Sequence, residues 1–210
     1  MSGRFITLEG TEGAGKSTNL AFMRDYLEGA GITALVTREP GGTAFAEEIR
    51  ELVLSPREEG VDALAETLLI FAARAQHLQA VIKPAIAEGR WVLCDRFTDA
   101  TYAYQGAGRG VPREQIAVLE GLVQDGFKPD LTVYLDLPVE IGLARIQGRD
   151  EPDRFERERH EFFNRVRKGY LEIANTESAR VKVVDASRNL RDVQRDISAQ
   201  LDACLRSWQT

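Results

Sequence analysis

The chain has 210 residues, 33 acidic against 27 basic side chains and a net charge of −6, which argues against a broad nucleic-acid or acidic-membrane surface driven by bulk charge. With 43% hydrophobic residues it can fill the core of one domain, and two distant cysteines, Cys94 and Cys204, without a C-x-x-C motif fit buried thiols in a reducing cytoplasm rather than a disulfide or zinc framework. The basic residues are unequal in kind, 22 Arg and five Lys; codon bias would produce such an excess, and so would a protein that grips phosphates with planar guanidinium groups, so placement decides.

In chain order, short apolar runs rich in β-branched residues alternate with segments of helical periodicity. A strand over 5–8 precedes a helix over 17–28, a strand over 33–37, and helices over 44–54 and 63–87. A strand over 91–94 and a helix over 113–124 follow, then a strand over 131–135 and helices over 139–147 and 157–175. A strand over 181–184 and a helix over 190–207 end the series. Nearly continuous hydrophobic strands belong to a parallel sheet covered on both faces. The expected fold is α/β, three layers around a five-stranded parallel sheet, in one domain spanning 1–210. The N-terminal residues lack the apolar core of a signal peptide, and no apolar stretch approaches about 18 residues, so no membrane span is expected.

In such sheets ligands lie beyond the carboxyl ends of the strands. After the first strand comes Gly10-Thr11-Glu12-Gly13-Ala14-Gly15-Lys16-Ser17, a complete G-x-x-x-x-G-K-[ST] between a strand and a helix. Its glycines let consecutive backbone N–H groups turn around an anion, and the following helix adds its positive dipole end. Gly10 to Thr18 is thus the candidate ATP-phosphate segment, with Lys16 on the β- and γ-phosphates and Ser17 on Mg²⁺. Asp95 follows the third strand, where an acid commonly orients Mg²⁺ or its waters, a structural ion pair being the alternative. Arg96 beside it would grip an acceptor phosphate.

Five ordered blocks narrow the choice: Leu8-Glu9-Gly10, Thr37-Arg38-Glu39-Pro40-Gly41-Gly42, Phe71-Ala72-Ala73-Arg74, Asp95-Arg96-Phe97 and Ala103-Tyr104-Gln105-Gly106. With them the chain resembles the thymidylate kinases (dTMP kinases) of the nucleoside monophosphate kinase group, from Phe5 to the last helix. The resemblance implies the P-loop nucleoside monophosphate kinase fold, ATP and dTMP as substrates, Mg²⁺ as cofactor, direct in-line transfer to give dTDP, and a homodimer. It places Arg38, Pro40 and Arg96 at the acceptor, stacks Phe71 on thymine and directs Arg74 to the O4 edge. It also puts Thr101, Tyr104 and Gln105 at the base and sugar, Tyr104 packing against C2′ so as to disfavour ribose.

A carboxylate inside a phosphate loop is repulsive unless a metal or hydroxyl receives it; by resemblance Glu12 lies near the acceptor sugar and the water shell of Mg²⁺. Family members with such a loop carry the catalytic arginine in a lid. The charged segment 148–159 supplies candidates, Arg149 and Arg154 for the transferring phosphoryl group, with Arg157 and Arg159 in solvated pairs. Arg188, in Asp185-Ala186-Ser187-Arg188, is a candidate for the ATP side. Phe97 and Ala107 depart from the family pattern. The rivals are a UMP or CMP kinase and a non-catalytic P-loop regulator, while a metal hydrolase is disfavoured because His77 and His160 have no ligand-spaced partner.

Overall fold

Five apolar runs assemble into one parallel sheet of order β2-β3-β1-β4-β5 in the computed structural model, which describes residues 3–56, 58–146 and 154–208. The chain runs β1 (Phe5–Gly10), α1 (Lys16–Gly29), β2 (Ala34–Arg38), α2 (Ala44–Leu54) and α3 (Ala63–His77). A π-helical turn over Leu78–Ile82 joins α3 to α4 (Lys83–Ala87), followed by β3 (Trp91–Asp95) and α5 (Thr98–Thr101). A second π-helical segment, Tyr102–Gly108, precedes α6 (Arg113–Gln124), β4 (Leu131–Asp136) and α7 (Val139–Ile146). Then come α8 (Arg154–Thr176), β5 (Val181–Asp185) and α9 (Leu190–Trp208).

Side chains alternate across each strand, so the two faces fill different cores. Ile6, Leu8, Leu93 and Val133 meet Met23 and Leu27 of α1 and Ile197 and Leu201 of α9. On the opposite face Phe5, Val92 and Cys94 meet Leu78, Ile82 and Phe97, and Tyr134 meets Val166, Tyr170 and Ile173 of α8. Each such apolar side chain, fully buried, is worth about 1.5–3 kcal/mol. The three-layer expectation is therefore met. No helix among the described residues is long and apolar enough to cross a membrane.

Three differences from the sequence expectation have local causes. The helix expected over 63–87 is interrupted by the π turn over Leu78–Ile82, just before Pro84, which has no N–H to donate and whose ring crowds the carbonyl four residues earlier. No helix was expected over 98–108, yet α5 and its π extension form there. Close packing by α8 compensates for two glycines, since a Cβ on Gly108 would lie 2.7 Å from the Phe162 ring and one on Gly169 2.8 Å from Ala107 Cβ. Finally, α8 begins at Arg154 rather than 157.

Register aligns the functional ends. Leu8 of β1 and Arg38 of β2 both pair with Asp95 of β3, so the loops after three strands open on one edge. The chain turns from β2 and β3 on one side of β1 to β4 and β5 on the other, making β1 the switch point where a ligand crevice forms.

Candidate active site

The loop after β1 is built for close approach. Gly10, Gly13 and Gly15 have φ of 154°, 76° and 82°, values that L side chains rarely adopt. A Cβ on Gly13 would stand 2.4 Å from the Gly142 carbonyl oxygen of α7, so the loop is seated on that helix. Arg145, one turn further along α7, donates from Nη1 to the Gly13 and Ala186 carbonyls, both at 3.1 Å. It ties the phosphate loop to the loop after β5, a role sequence reasoning missed. Thr11 is buried and accepts the Ala14 N–H, while Lys16, Ser17 and Thr18 open α1 with the two hydroxyl residues exposed. Burial, followed by the Arg96 charge, holds the Lys16 ammonium below its ordinary range.

Two hollows flank this loop. One, about 470 Å³ and the more enclosed, is lined by Glu12, Pro40, Ile70, Arg74, Arg96, Thr101, Tyr104 and Gln105, with Phe97, Arg109 and Arg159, a volume suited to a small-molecule ligand. The second, about 530 Å³ and more open, brings Ser17, Thr37, Arg38, Gly42 and Asp95 together. Arg38 thus sits with the metal candidates rather than in the cavity of Arg74 and Arg96, and its Nη2 is 2.8 Å from Glu47 Oε2. Asp95 Oδ1 is buried without a hydrogen-bond partner. With the Ser17 hydroxyl on the same hollow, this oxygen suits a cation or its water shell. Among the described residues no cluster of three or more His, Cys, Asp or Glu could hold a metal, so an ion here would depend on phosphate oxygens as well.

Arg96 is the hinge between loop and cavity. It sits at φ 69°, and its Nη2 donates to Glu12 Oε1 at 3.1 Å and to the Tyr104 hydroxyl at 2.8 Å. Burial works against its charge, but the surrounding Tyr104, Tyr170, Glu12 and Asp95 more than offset that and raise its pKa. Its Nε is buried and unpartnered, a free donor for an anion. The ion pair also answers the oddity of Glu12, whose carboxylate is balanced by Arg96 and receives the Tyr104 hydroxyl at 3.0 Å. The backbone turn carrying Arg96 is held from beneath by Glu9, which accepts the Phe97 N–H and the Tyr170 hydroxyl, each at 2.7 Å.

The far end of the cavity is made by α3 and the 98–108 helical run. Arg74 is 1% exposed; Nε donates to Glu39 Oε2 at 2.7 Å, Nη2 donates to Thr101 Oγ1 at 3.0 Å, and Nη1 has no partner. Its guanidinium lies between the rings of Phe71 and Phe97, at 4.8 and 4.9 Å. This corrects the expectation for Phe71, which is 2% exposed and packs on Val111 and Ile116. From α3 the cavity is lined by Glu66, Ile70 and Arg74, and its apolar wall there is Ile70, four positions before Arg74 and on the same face. Gln105 donates to Glu66 Oε1 at 2.8 Å, and Glu66 also pairs with Arg109.

Other site expectations fare unevenly. Arg149 lies outside the described residues, and Arg154 and Arg157 are placed only as backbone of α8. Arg159 borders the cavity of Arg74 and Arg96 instead of standing apart in a solvated pair. Arg188 is held by Asp196 and, at 3.6 Å, by Asp185, and lines neither hollow. Sequence reasoning overlooked Glu39, Ile70 and His77 as parts of the site. The i, i+3 spacing of Arg74 and His77 was the available signal.

Comparison with known proteins agrees with this architecture. The thymidylate kinase family model matches residues 8–197. A thymidylate kinase of Teredinibacter turnerae is 58% identical over 205 residues, 98% of this chain and all of that one. One from Chromohalobacter salexigens is 59% identical over 208 residues, 98% of each chain. The crystal structure of a thymidylate kinase from Ehrlichia chaffeensis superposes with a TM-score of 0.78 at 33% identity, covering 96% of this chain and 99% of the other. With a phosphate loop, an acceptor-sized cavity beside it and likeness along almost its whole length, the chain belongs to the thymidylate kinase family.

Proposed function

We propose that the protein transfers the γ-phosphoryl group of ATP to dTMP, forming dTDP and ADP in a step of dTTP synthesis, by direct in-line displacement without a covalent enzyme intermediate. The observation that carries this reading is that neighbouring residues serve different hollows, Asp95 lining the one with Ser17 and Arg96 the one with Arg74, Thr101 and Tyr104. Two polyanions can therefore meet back to back across Arg96. A P-loop switch has no use for the hollow of Arg74, Thr101 and Tyr104. Ser17 and Asp95 would hold Mg²⁺, which when bound supplies charge neutralisation on the donor phosphates. Lys16 grips those phosphates, Arg96 orients the acceptor phosphate with its free Nε–H, and Arg149 and Arg154 add lid cations. Catalysis is then positioning and electrostatic neutralisation.

Base recognition falls to the unpartnered Nη1 of Arg74, with Ile70 as the apolar wall and Thr101 and Gln105 at the polar edges. A coupled assay of ADP production with dTMP, UMP and CMP tests the assignment. Turnover is expected with dTMP and at most weakly with the others. Preference for UMP or CMP would reassign the substrate, and no ADP with any monophosphate would favour the non-catalytic regulator.

Tyr104 supplies the sugar wall through its ring, and its hydroxyl anchors Arg96 and Glu12. Tyr104→Ala is expected to lower the kcat/KM ratio of dUMP over UMP by about tenfold, as removal of a steric contact in a substrate pocket does. Tyr104→Phe keeps that ratio while slowing turnover. Equal ratios in wild type and Tyr104→Ala would remove the ring from sugar selection. Exposed Leu64 and Leu68 of α3 and Val118 and Leu122 of α6 offer an apolar face for a homodimer, and free thiols at Cys94 and Cys204 suit a cytoplasmic enzyme.

A further inference from the structure

A polar chain runs through the interior behind the base end of the cavity. His77 is fully buried; its Nε2 lies 2.7 Å from Thr37 Oγ1 and its Nδ1 3.0 Å from Glu39 Oε1. The other oxygen of Glu39 receives Arg74 Nε at 2.7 Å, and Arg74 Nη2 reaches Thr101. Arg74 and His77 share a face of α3 because they are three residues apart, while Glu39 arrives from the turn after β2. That turn closes directly on the imidazole: a Cβ on Gly42, at φ 86°, would lie 2.3 Å from His77 Nε2.

Resting on the dTMP reading above, we propose that His77 is a positioning residue for base recognition, acting through Glu39 to keep the Nη1 of Arg74 free for the ligand. The carboxylate of Glu39 has two oxygens and two buried donors, His77 on one and Arg74 on the other. Glu39 and Arg74 already balance each other's charge. His77, donating from Nδ1 to Glu39 and accepting the Thr37 hydroxyl at Nε2, completes the chain. Without His77, one carboxylate oxygen is left unpaired in the interior, a costly state. The nearest remedy is rotation of Glu39 onto further nitrogens of Arg74, which draws Nη1 away from the cavity. The phosphate loop and Arg96 lie outside this chain, so the defect falls on the monophosphate.

The test is steady-state kinetics of the full-length enzyme with His77→Leu, His77→Asn and Thr37→Val. His77→Leu is expected to raise KM for dTMP about 10- to 100-fold and to lower the preference for dTMP over dCMP about tenfold, with kcat and KM for ATP within about threefold of wild type. His77→Asn, whose amide N–H replaces the Nδ1 donor, restores KM to within about fivefold, and Thr37→Val, which releases the ring at the edge of the Ser17 and Asp95 hollow, raises it about three- to tenfold. Unchanged KM and base preference in His77→Leu and Thr37→Val would overturn the proposal. So would His77→Asn behaving like His77→Leu, or kcat and both KM values moving together, as a merely structural role requires. If circular dichroism shows that His77→Leu does not fold, the Asn and Val variants decide by the same criteria. A wild type that phosphorylates another monophosphate and not dTMP refutes the dTMP reading, and the same variants then test positioning with that monophosphate.

Discussion

Lys16→Ala is expected to lower kcat on the order of 10²–10³-fold, the loss seen when one preorganised electrostatic donor is removed from a transition state. The fold should not suffer. Lys16 opens α1 behind Gly15, where burial and the charge of Arg96 disfavour its ammonium more than Asp95 and Glu12 favour it. A cation whose pKa is depressed on folding opposes the folded state at neutral pH, so deleting it removes an unfavourable interaction. The side chain is held at the end of β1 for what it does to phosphate, with no return in stability. A coupled assay and thermal unfolding by circular dichroism check both halves. Near-normal turnover in Lys16→Ala, at an unchanged unfolding midpoint, would refute its role on the donor phosphates.

Much of the fold is legible because its strands are buried on both faces and therefore read as unbroken apolar runs. The sequence around β1, β3 and β4 announces a parallel sheet, and the glycine loop between β1 and α1 locates the crevice. The segment 98–108 is not legible in the same way. Its threonines, tyrosines and glycines are poor helix formers, and the helical run exists because α8 lies close along it, with Gly169 against Ala103 and Ala107. Tertiary packing there overrides local propensity. The break at Leu78–Ile82 is local in cause, yet helical periodicity passes through Pro84 without marking how wide the turn before it must become.

The site divides along the same line. Residues whose function follows from backbone position, Gly10 to Ser17 and Asp95, are readable from spacing after a strand. Residues whose function follows from contacts between distant segments are not. Glu39 and Arg74 are 35 positions apart, and nothing in either neighbourhood announces that they meet in the interior. Phe71 illustrates the converse error, a residue type suited to stacking on a base whose face is taken by Arg74. Ile70 and Phe71 differ by one position, about 100° around the helix, and only the packing of α6 against α3 decides which of them reaches the cavity. Phe97, a departure from the family pattern, is the second ring on Arg74.

Glu9→Gln is expected to make the protein more stable at neutral and alkaline pH, with the gain vanishing in acid. Glu9 is fully buried, and its pKa is raised from 4.5 to about 8, first by burial and then by the charge of Asp99, against the pull of Tyr170, the Phe97 N–H and Arg96. Between those two values the unfolded chain releases a proton that the folded chain retains. The folded state then binds more protons than the unfolded one, so stability falls as pH rises through this window and levels off above about 8. At pH 7 the cost is on the order of 3 kcal/mol. Glutamine resembles the neutral acid: its carbonyl can accept the Phe97 N–H that fixes the Arg96 turn, and its amide can donate to the Tyr170 hydroxyl. In a chain of this length that corresponds to an unfolding midpoint about 6–12 °C above wild type at pH 7 and coincident midpoints near pH 4.5. Melting both proteins across pH 4.5–9 isolates the contribution of Glu9, because every other titrating group is common to the pair. Parallel curves would mean that Glu9 is ionised in the folded protein throughout, with Arg96 close enough to stabilise its charge.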